Sequence, residues 1–174
     1  LVPVGEIELT FAELPSFIRE VFAERDIYSP GRLFLSFKMG LSSPTYLGTL
    51  VGANYFFLEH IIATYLYLTR KRAEAYLQTE LDTIVLGRPV RYSDDATHNE
   101  LARERLLQAA FRAGYKTVYL QHEPVAAAHY YETFIEREQN VLIFDFGGGT
   151  LDISILRLGN ARTRRVLASG GIPI

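Results

Sequence analysis

The stretch Val141–Ser154, VLIFDFGGGTLDIS, constrains the fold more than any other part of the chain. An apolar run, Val141 to Phe144, ends in a lone acid, Asp145. After Phe146 comes a triple glycine, Gly147 to Gly149, then a hydroxyl, Thr150. A second apolar run, Leu151 to Leu158, carries Asp152 and Ser154 in alternation with Ile153 and Ile155, the period of a strand. The stretch therefore reads as strand, tight turn, strand. Glycines permit positive φ and let backbone N–H groups approach an anion with no Cβ in the way. Asp145, at a strand end, sits where a carboxylate can hold a hydrated divalent cation. The glycines alone favour a plain hairpin turn; with the flanking acid and Thr150 the plain turn and a phosphate cradle stand level, and the wider context decides.

Two better-known phosphate motifs are excluded. A dinucleotide fingerprint needs a helix after its glycines, and here a strand-like run follows. A P-loop needs a Lys-Ser/Thr pair after its glycines, and none is present. The anion would be gripped by a β-hairpin.

Length and composition narrow the class. A chain of 174 residues with 48% apolar and 22% charged residues can bury a real core. A net charge of −2 gives no electrostatic case for nucleic acid. The absence of cysteine excludes disulfide scaffolds, thiol catalysis and cysteine metal sites, and is compatible with the cytosol. No apolar run approaches the roughly 20 residues that span a bilayer; the closest, Tyr55 to Leu68, is broken by Glu59 and His60. His60, His98, His122 and His129 have no metal-ligand spacing. Both chain ends read as cut from a longer polypeptide.

Periodicity and punctuation organise the rest. A strand is expected over Leu1–Thr10, then a helix to about Arg25 with Thr10 and Glu13 at capping-box spacing. Ser29–Gly31 reads as a turn, Leu33–Phe37 as a short strand ahead of Lys38, and Leu41–Thr49 as a loop. A long helix is expected over Leu50–Leu81, with Phe57, Ile61, Tyr65 and Leu68 on its apolar side and Arg70, Lys71, Arg72 and Glu74 on a solvated face. Then come a strand at Asp82–Leu86 closed by Gly87-Arg-Pro89, a helix at Thr97–Ala113 stopped by Gly114, and a strand at Lys116–Leu120. Glu123-Pro124 opens an Ala-rich helix, and strands follow at Asn140–Phe146, Leu151–Leu158 and Thr163–Ala168. The order predicts an α/β fold, a mixed sheet with crossover helices, with the strands at 82–86, 116–120 and 141–146 in one sheet. Residues 1–81 would form a peripheral subdomain with the long helix, and residues 82–174 a core subdomain carrying the phosphate hairpin.

Three strand-end turns now line up: Gly87-Arg-Pro-Val90, Gln121-His-Glu-Pro-Val-Ala-Ala-Ala128 and Asp145-Phe-Gly-Gly-Gly-Thr-Leu-Asp152. With them the chain resembles the actin-like ATPase domain of the seventy-kilodalton heat-shock chaperone family, over most of residues 82–174 and more loosely through Lys38 and the loop after it. The resemblance implies an actin-like, ribonuclease H-like ATPase fold. It implies roles residue by residue. Gly147, Gly148, Gly149 and Thr150 would hold the β- and γ-phosphates of ATP. Asp145 would organise magnesium through water, and Asp152 would lie near the cation sites, with potassium as a second candidate cation. Glu123 would stand near the nucleophilic water, and Lys38 would reach the γ-phosphate. A positive charge there suits developing phosphoryl charge, and a helix N-terminus keeps Glu123 anionic.

The departures are as specific. The family's first phosphate loop, an Asp-x-Gly-Thr hairpin, is absent from this chain, and the adenosine-gripping second lobe would follow Ile174. His122 stands where the commonest members carry Asn. The resemblance thus implies a first-lobe fragment of a divergent chaperone-like ATPase, itself inactive, with unfolded-protein clients or co-chaperones as partners of the parent. Neither nucleic acid nor membrane is implied as a partner. Val166 and Leu167, at an uncovered sheet edge, would let the fragment self-associate. A sugar- or acetate-type kinase of the same superfamily and a non-catalytic actin-like filament or scaffold protein stay open as alternatives.

Overall fold

In a computed structural model the described residues are 34 and 37–173. The strand expected at 1–10, the helix at 10–25 and the turn at 29–31 lie outside them, as does most of the strand at 33–37. Phe37 begins a 3-10 helix, Phe37–Ser42, that carries Lys38 and Met39. A hairpin of β1 (Gly48–Val51) and β2 (Asn54–Phe57) follows, then α1 (Leu58–Leu77), β3 (Thr83–Arg88), α2 (Ala96–Arg112), β4 (Thr117–His122), α3 (Glu123–Glu132), β5 (Gln139–Phe146), β6 (Thr150–Leu158) and β7 (Arg165–Pro173).

The second half keeps the expected order, and the α/β class stands. The long helix is shorter than expected. Its first turns are the β1–β2 hairpin, in which Val51 faces Asn54 across a two-residue turn. Gly52 holds φ at 60°, a left-handed conformation that a glycine adopts without strain. The helix stripe is also displaced by one position. Leu58, Ile62, Ala63 and Leu66 are buried, while Phe57, Tyr65 and Leu68 are exposed. The basic run is only partly solvated: Arg70 lies 5.3 Å from the centroid of the Tyr115 ring and donates to Glu74 at 2.8 Å.

One packing cluster joins the 3-10 helix (Leu41) and α1 (Leu58, Ile62, Leu66) to the alanine face of α2 (Ala102, Ala109, Ala110, Ala113). Ile84, Leu86, Val118 and Leu120 of β3 and β4 pack beneath it, so the cluster spans position 82. A second cluster joins Val125 and Ala128 of α3 to Leu156 and Leu158 of β6. The strands divide likewise. β3 and β4 pair in parallel, and β5, β6 and β7 form an antiparallel sheet in that order. The strands at 82–86 and 116–120 therefore do not share the sheet of 141–146, contrary to expectation. α3 follows β4 directly and packs on β5 and β6, so it is the element that bridges the two clusters. β7 runs longer than Thr163–Ala168 and ends at Pro173, which an edge strand tolerates.

The inner face of β5 and β6 is apolar where Val141, Ile143, Leu156 and Leu158 meet α3 and turns polar toward the glycine turn. Thr150, Asp152 and Ser154 are buried, whereas Leu142, Phe144, Phe146, Ile153 and Ile155 are exposed. The polar side chains thus point to the α3 side.

Glu74 ties the end of α1 to the start of β3. Its carboxylate accepts from Arg70 Nε and Lys71 Nζ at 2.8 Å each and from the Leu81 N–H at 3.0 Å. The Lys71 hydrogen bond, with help from the Leu81 N–H, pulls its pKa down from 4.5 to about 2. A carboxyl depressed in the folded state adds stability above its unfolded pKa and loses it as pH falls toward the folded value. Glu74→Gln should therefore lower the urea midpoint at pH 6, and the gap to wild type should close as pH falls from 4.5 toward 2. A gap that stays constant across that window would contradict the assignment.

Candidate functional site

The 3-10 helix, the start of α3 and the β5–β6 turn converge. Lys38 Nζ donates to both Glu123 carboxylate oxygens, at 2.6 and 2.8 Å. Glu123 is the first residue of α3, where the macrodipole favours its anion, and Pro124 follows at a position where a missing N–H costs nothing. A methyl group at Gly87 would meet Glu123 Cγ at 3.2 Å, so the end of β3 presses on the same side chain. Lys38, Met39, Glu123 and Gly147–Thr150 line a cleft of about 150 Å³. The ends of β3, β4 and β5 thus converge, although they belong to two sheets.

The glycine turn works differently from the sequence reading. Among the described residues positive φ occurs at Gln78, Gly52, Gly114 and Gly159, and not at Gly147–Gly149. The turn closes with Gly147 N–H donating to the Thr150 carbonyl at 2.9 Å. Close approach accounts for glycine at 149. A methyl group there would overlap Met39 Sδ and lie 2.9 Å from its Cγ. At Gly148 a methyl group would meet nothing within 4 Å, so its bare backbone faces open space. A phosphate oxygen needs that access to reach main-chain N–H groups.

Asp145 and Asp152 face each other directly across β5 and β6. Asp152 is 1% exposed. Its Oδ1 accepts from the Val90 N–H at 2.8 Å, which ties the loop after β3 to the antiparallel sheet. Its Oδ2 is buried with no hydrogen-bond partner. Two carboxylates directly opposite repel each other, and an orphaned buried acceptor is costly. A cation near the pair would relieve both, so these residues fit one. Among the described residues no group of three or more metal-ligating side chains exists. Any cation here would take most of its ligands from water or phosphate, as Mg²⁺ commonly does. Asp145 does not line the cleft itself.

Sequence reasoning missed several neighbours. Met39 abuts the turn but carries no motif. Tyr92 is buried, its hydroxyl has no partner, and burial followed by the Glu123 charge holds its proton more tightly than usual. His122, which the sequence marked only as a departure, lies at the end of β4 and is pushed below the ordinary histidine pKa by burial and then by Arg88, against the pull of Asp152. A larger open groove of about 350 Å³ near the β6–β7 turn includes Glu132 and Arg164. Its polar groups satisfy each other: Glu132 accepts from the Gly159 N–H and pairs with Arg164, both at 2.7 Å.

The described residues thus make an α/β fold in which a glycine hairpin faces a lysine across a small cleft, beside two acids that face each other across β5 and β6. Residues 32–171 match the Hsp70 protein family, and the chain belongs to that family. It is 34% identical over 122 residues (70% of the chain, 19% of the relative) to Chaperone protein DnaK of Endomicrobium trichonymphae. It is 44% identical over 111 residues (64% and 17%) to a Chaperone protein HscA homolog of Pseudomonas putida. To Chaperone protein HscA of Yersinia enterocolitica it is 43% identical over 101 residues (58% and 15%). The chain spans less than a fifth of the length of these curated relatives.

The contact at Gly149 yields a stability test. Gly149→Ala should destabilise by at most about 1 kcal/mol, the low end of overpacking, because the flexible Met39 chain can give, and Met39→Ala in the same chain should remove that cost. Gly148→Ala should melt close to wild type. Equal losses for both alanine variants in thermal denaturation would show that Met39 does not set the requirement.

Proposed function

We propose that this chain is the phosphate- and cation-facing part of a chaperone-like ATPase that binds and hydrolyses MgATP between two lobes to drive a conformational switch. The observation that carries the reading is the cleft in which Lys38 and Glu123 meet Gly147–Thr150. The turn amides would hold the β- and γ-phosphates. Lys38 would neutralise charge on the transferred phosphoryl group, and Glu123 would orient the attacking water. Asp145 and Asp152 would hold the water shell of Mg²⁺, which supplies charge stabilisation at the phosphates, with K⁺ as the second cation. No covalent intermediate with the protein is needed, since positioning and electrostatics suffice for phosphoryl transfer.

The two packing clusters suggest where the working division falls. A boundary between 81 and 82 would cut the first cluster, whereas α3 stands between the two. We draw the subdomain division at α3, within the first lobe, with Lys38 on one side and the glycine turn on the other. Unfolded-protein clients, co-chaperones and a cytoplasmic location for the parent follow from kinship alone. Among the described residues no helix is long and apolar enough to cross a membrane. Val166 and Leu167 are 47% and 40% exposed on the β7 edge, which supports self-association of the isolated chain through that edge.

In the intact parent, Asp145→Asn and Lys38→Ala should each lower kcat by about 10²-fold or more, with ATP affinity changed far less, because their charge matters most in the transition state. Unchanged turnover in both would favour a nucleotide-holding scaffold. The isolated 174 residues offer about 150 Å³, enough for phosphate but below the roughly 300 Å³ of a small-molecule pocket. Calorimetry should find no micromolar ATP site in them, that is, no binding near −8 kcal/mol. A micromolar isotherm would mean that adenosine has a seat in this chain.

A further inference from the structure

Arg105 is 6% exposed on α2, in a charged run that would ordinarily face water. Its position lies on the buried stripe of Ala102, Leu106 and Ala109, one turn apart along the helix. Its Nη1 lies within hydrogen-bonding distance of four main-chain carbonyls: Gly40 at 3.2 Å, Leu41 at 3.2 Å, Ser43 at 2.8 Å and Tyr46 at 3.4 Å. Its Nε pairs with the mostly buried Glu59 carboxylate at 3.0 Å. All four carbonyls belong to the 3-10 helix and the turn after it. That segment begins with the residues that carry the site's cation and the Gly149 contact, Lys38 and Met39.

The end of a 3-10 helix leaves carbonyls without intrahelical partners. Nη1 shares its two hydrogens among these carbonyls, of which Gly40's also accepts from the Ser43 N–H at 3.2 Å, while Nε holds Glu59, a two-sided grip that needs the fixed fork of Arg. Leu41 anchors the same segment in the first cluster and Met39 abuts Gly149, but among the described residues its polar tie to the site is the part-exposed Lys38–Glu123 pair, which is weak by itself. We infer that Arg105 is a positioning residue that clamps the segment 40–46 to α2 and so sets Lys38 against Glu123 and the glycine turn. The catalytic meaning of that placement rests on the ATPase reading; the placement itself does not.

The test uses Arg105→Lys, which keeps a charge for Glu59 but loses the fork. If that variant fails to fold, Arg105→Gln with Glu59→Gln removes the fork without stranding a buried carboxylate and is read the same way. Acetylation of the three lysines is followed by mass spectrometry in folded protein. Lys38 should react about two- to fivefold faster than in wild type, as an amine freed from a half-exposed ion pair. Lys71 and Lys116, paired with Glu74 and Asp82, should keep their rates. An unchanged Lys38 rate, or equal acceleration of all three, would overturn the inference. In the intact parent the same substitution should lower kcat about 10- to 100-fold with KM for ATP nearly unchanged, the scale of a small misplacement. It should have no further effect in a Lys38→Ala background. A full effect in that background would overturn action through Lys38. A parent that hydrolyses no ATP, yet shows the Lys38 labelling change, would sink the ATPase reading and leave the clamp standing.

Discussion

The Glu123 carboxylate is the point on which the arrangement turns. It is fixed by main chain, since it opens α3 where β4 ends, and α3 is held by the second packing cluster. From that anchored position it receives Lys38 from the first cluster, presses on Gly87 at the end of β3 and faces the glycine turn across a narrow cleft. Remove the carboxylate and the lysine loses its partner, and the two clusters lose a polar contact between them. The other tie is Asp152, whose Oδ1 takes the Val90 N–H across the same divide. Two carboxylates, one at a helix start and one in a strand, thus couple parts of the chain that pack separately.

Much of this was legible from residues. Strong punctuation located the elements of the second half: Gly114 after α2, Glu123-Pro124 at the head of α3, the glycines between β5 and β6. Lys38, Glu123 and Gly147–Thr150, which the motifs singled out far apart in the chain, line one cleft. Sheet partnership was not legible, because strand order says nothing about which edges meet. The first helix was misread for a physical reason. Its aromatic residues dominate the periodicity, yet Tyr65 and Tyr67 lie outside while Leu58, Ile62 and Leu66 fit against the small alanines of α2. A single glycine, Gly52, marked the hairpin that replaced the expected first turns. The buried Arg105 was hidden by its charged neighbours, though its spacing from Ala102 and Ala109 placed it on the buried stripe.

The polar inner face of β6 beside the glycine turn belongs to the same account. A strand that buries Thr150, Asp152 and Ser154 and exposes Ile153 and Ile155 places its polar side chains where chemistry is proposed. The outer face of the sheet, with Phe144 and Phe146 of β5 stacked 6.5 Å apart, is left apolar and uncovered among the described residues. An orphaned Asp152 oxygen and a facing Asp145 are costly for a stability device. They suit a site that a cation completes.

The central claim is that the β5–β6 turn receives phosphate opposite Lys38. Its most direct test is nuclear magnetic resonance of the intact parent with labelled glycine and threonine amides and labelled lysine side chains, titrated with magnesium pyrophosphate. The account predicts that the amides of Gly148, Gly149 and Thr150 and the Lys38 ammonium shift together along one saturating curve, while the Gly159 amide beside Glu132 does not move. Saturable shifts elsewhere, with the turn amides and Lys38 unmoved, would contradict it.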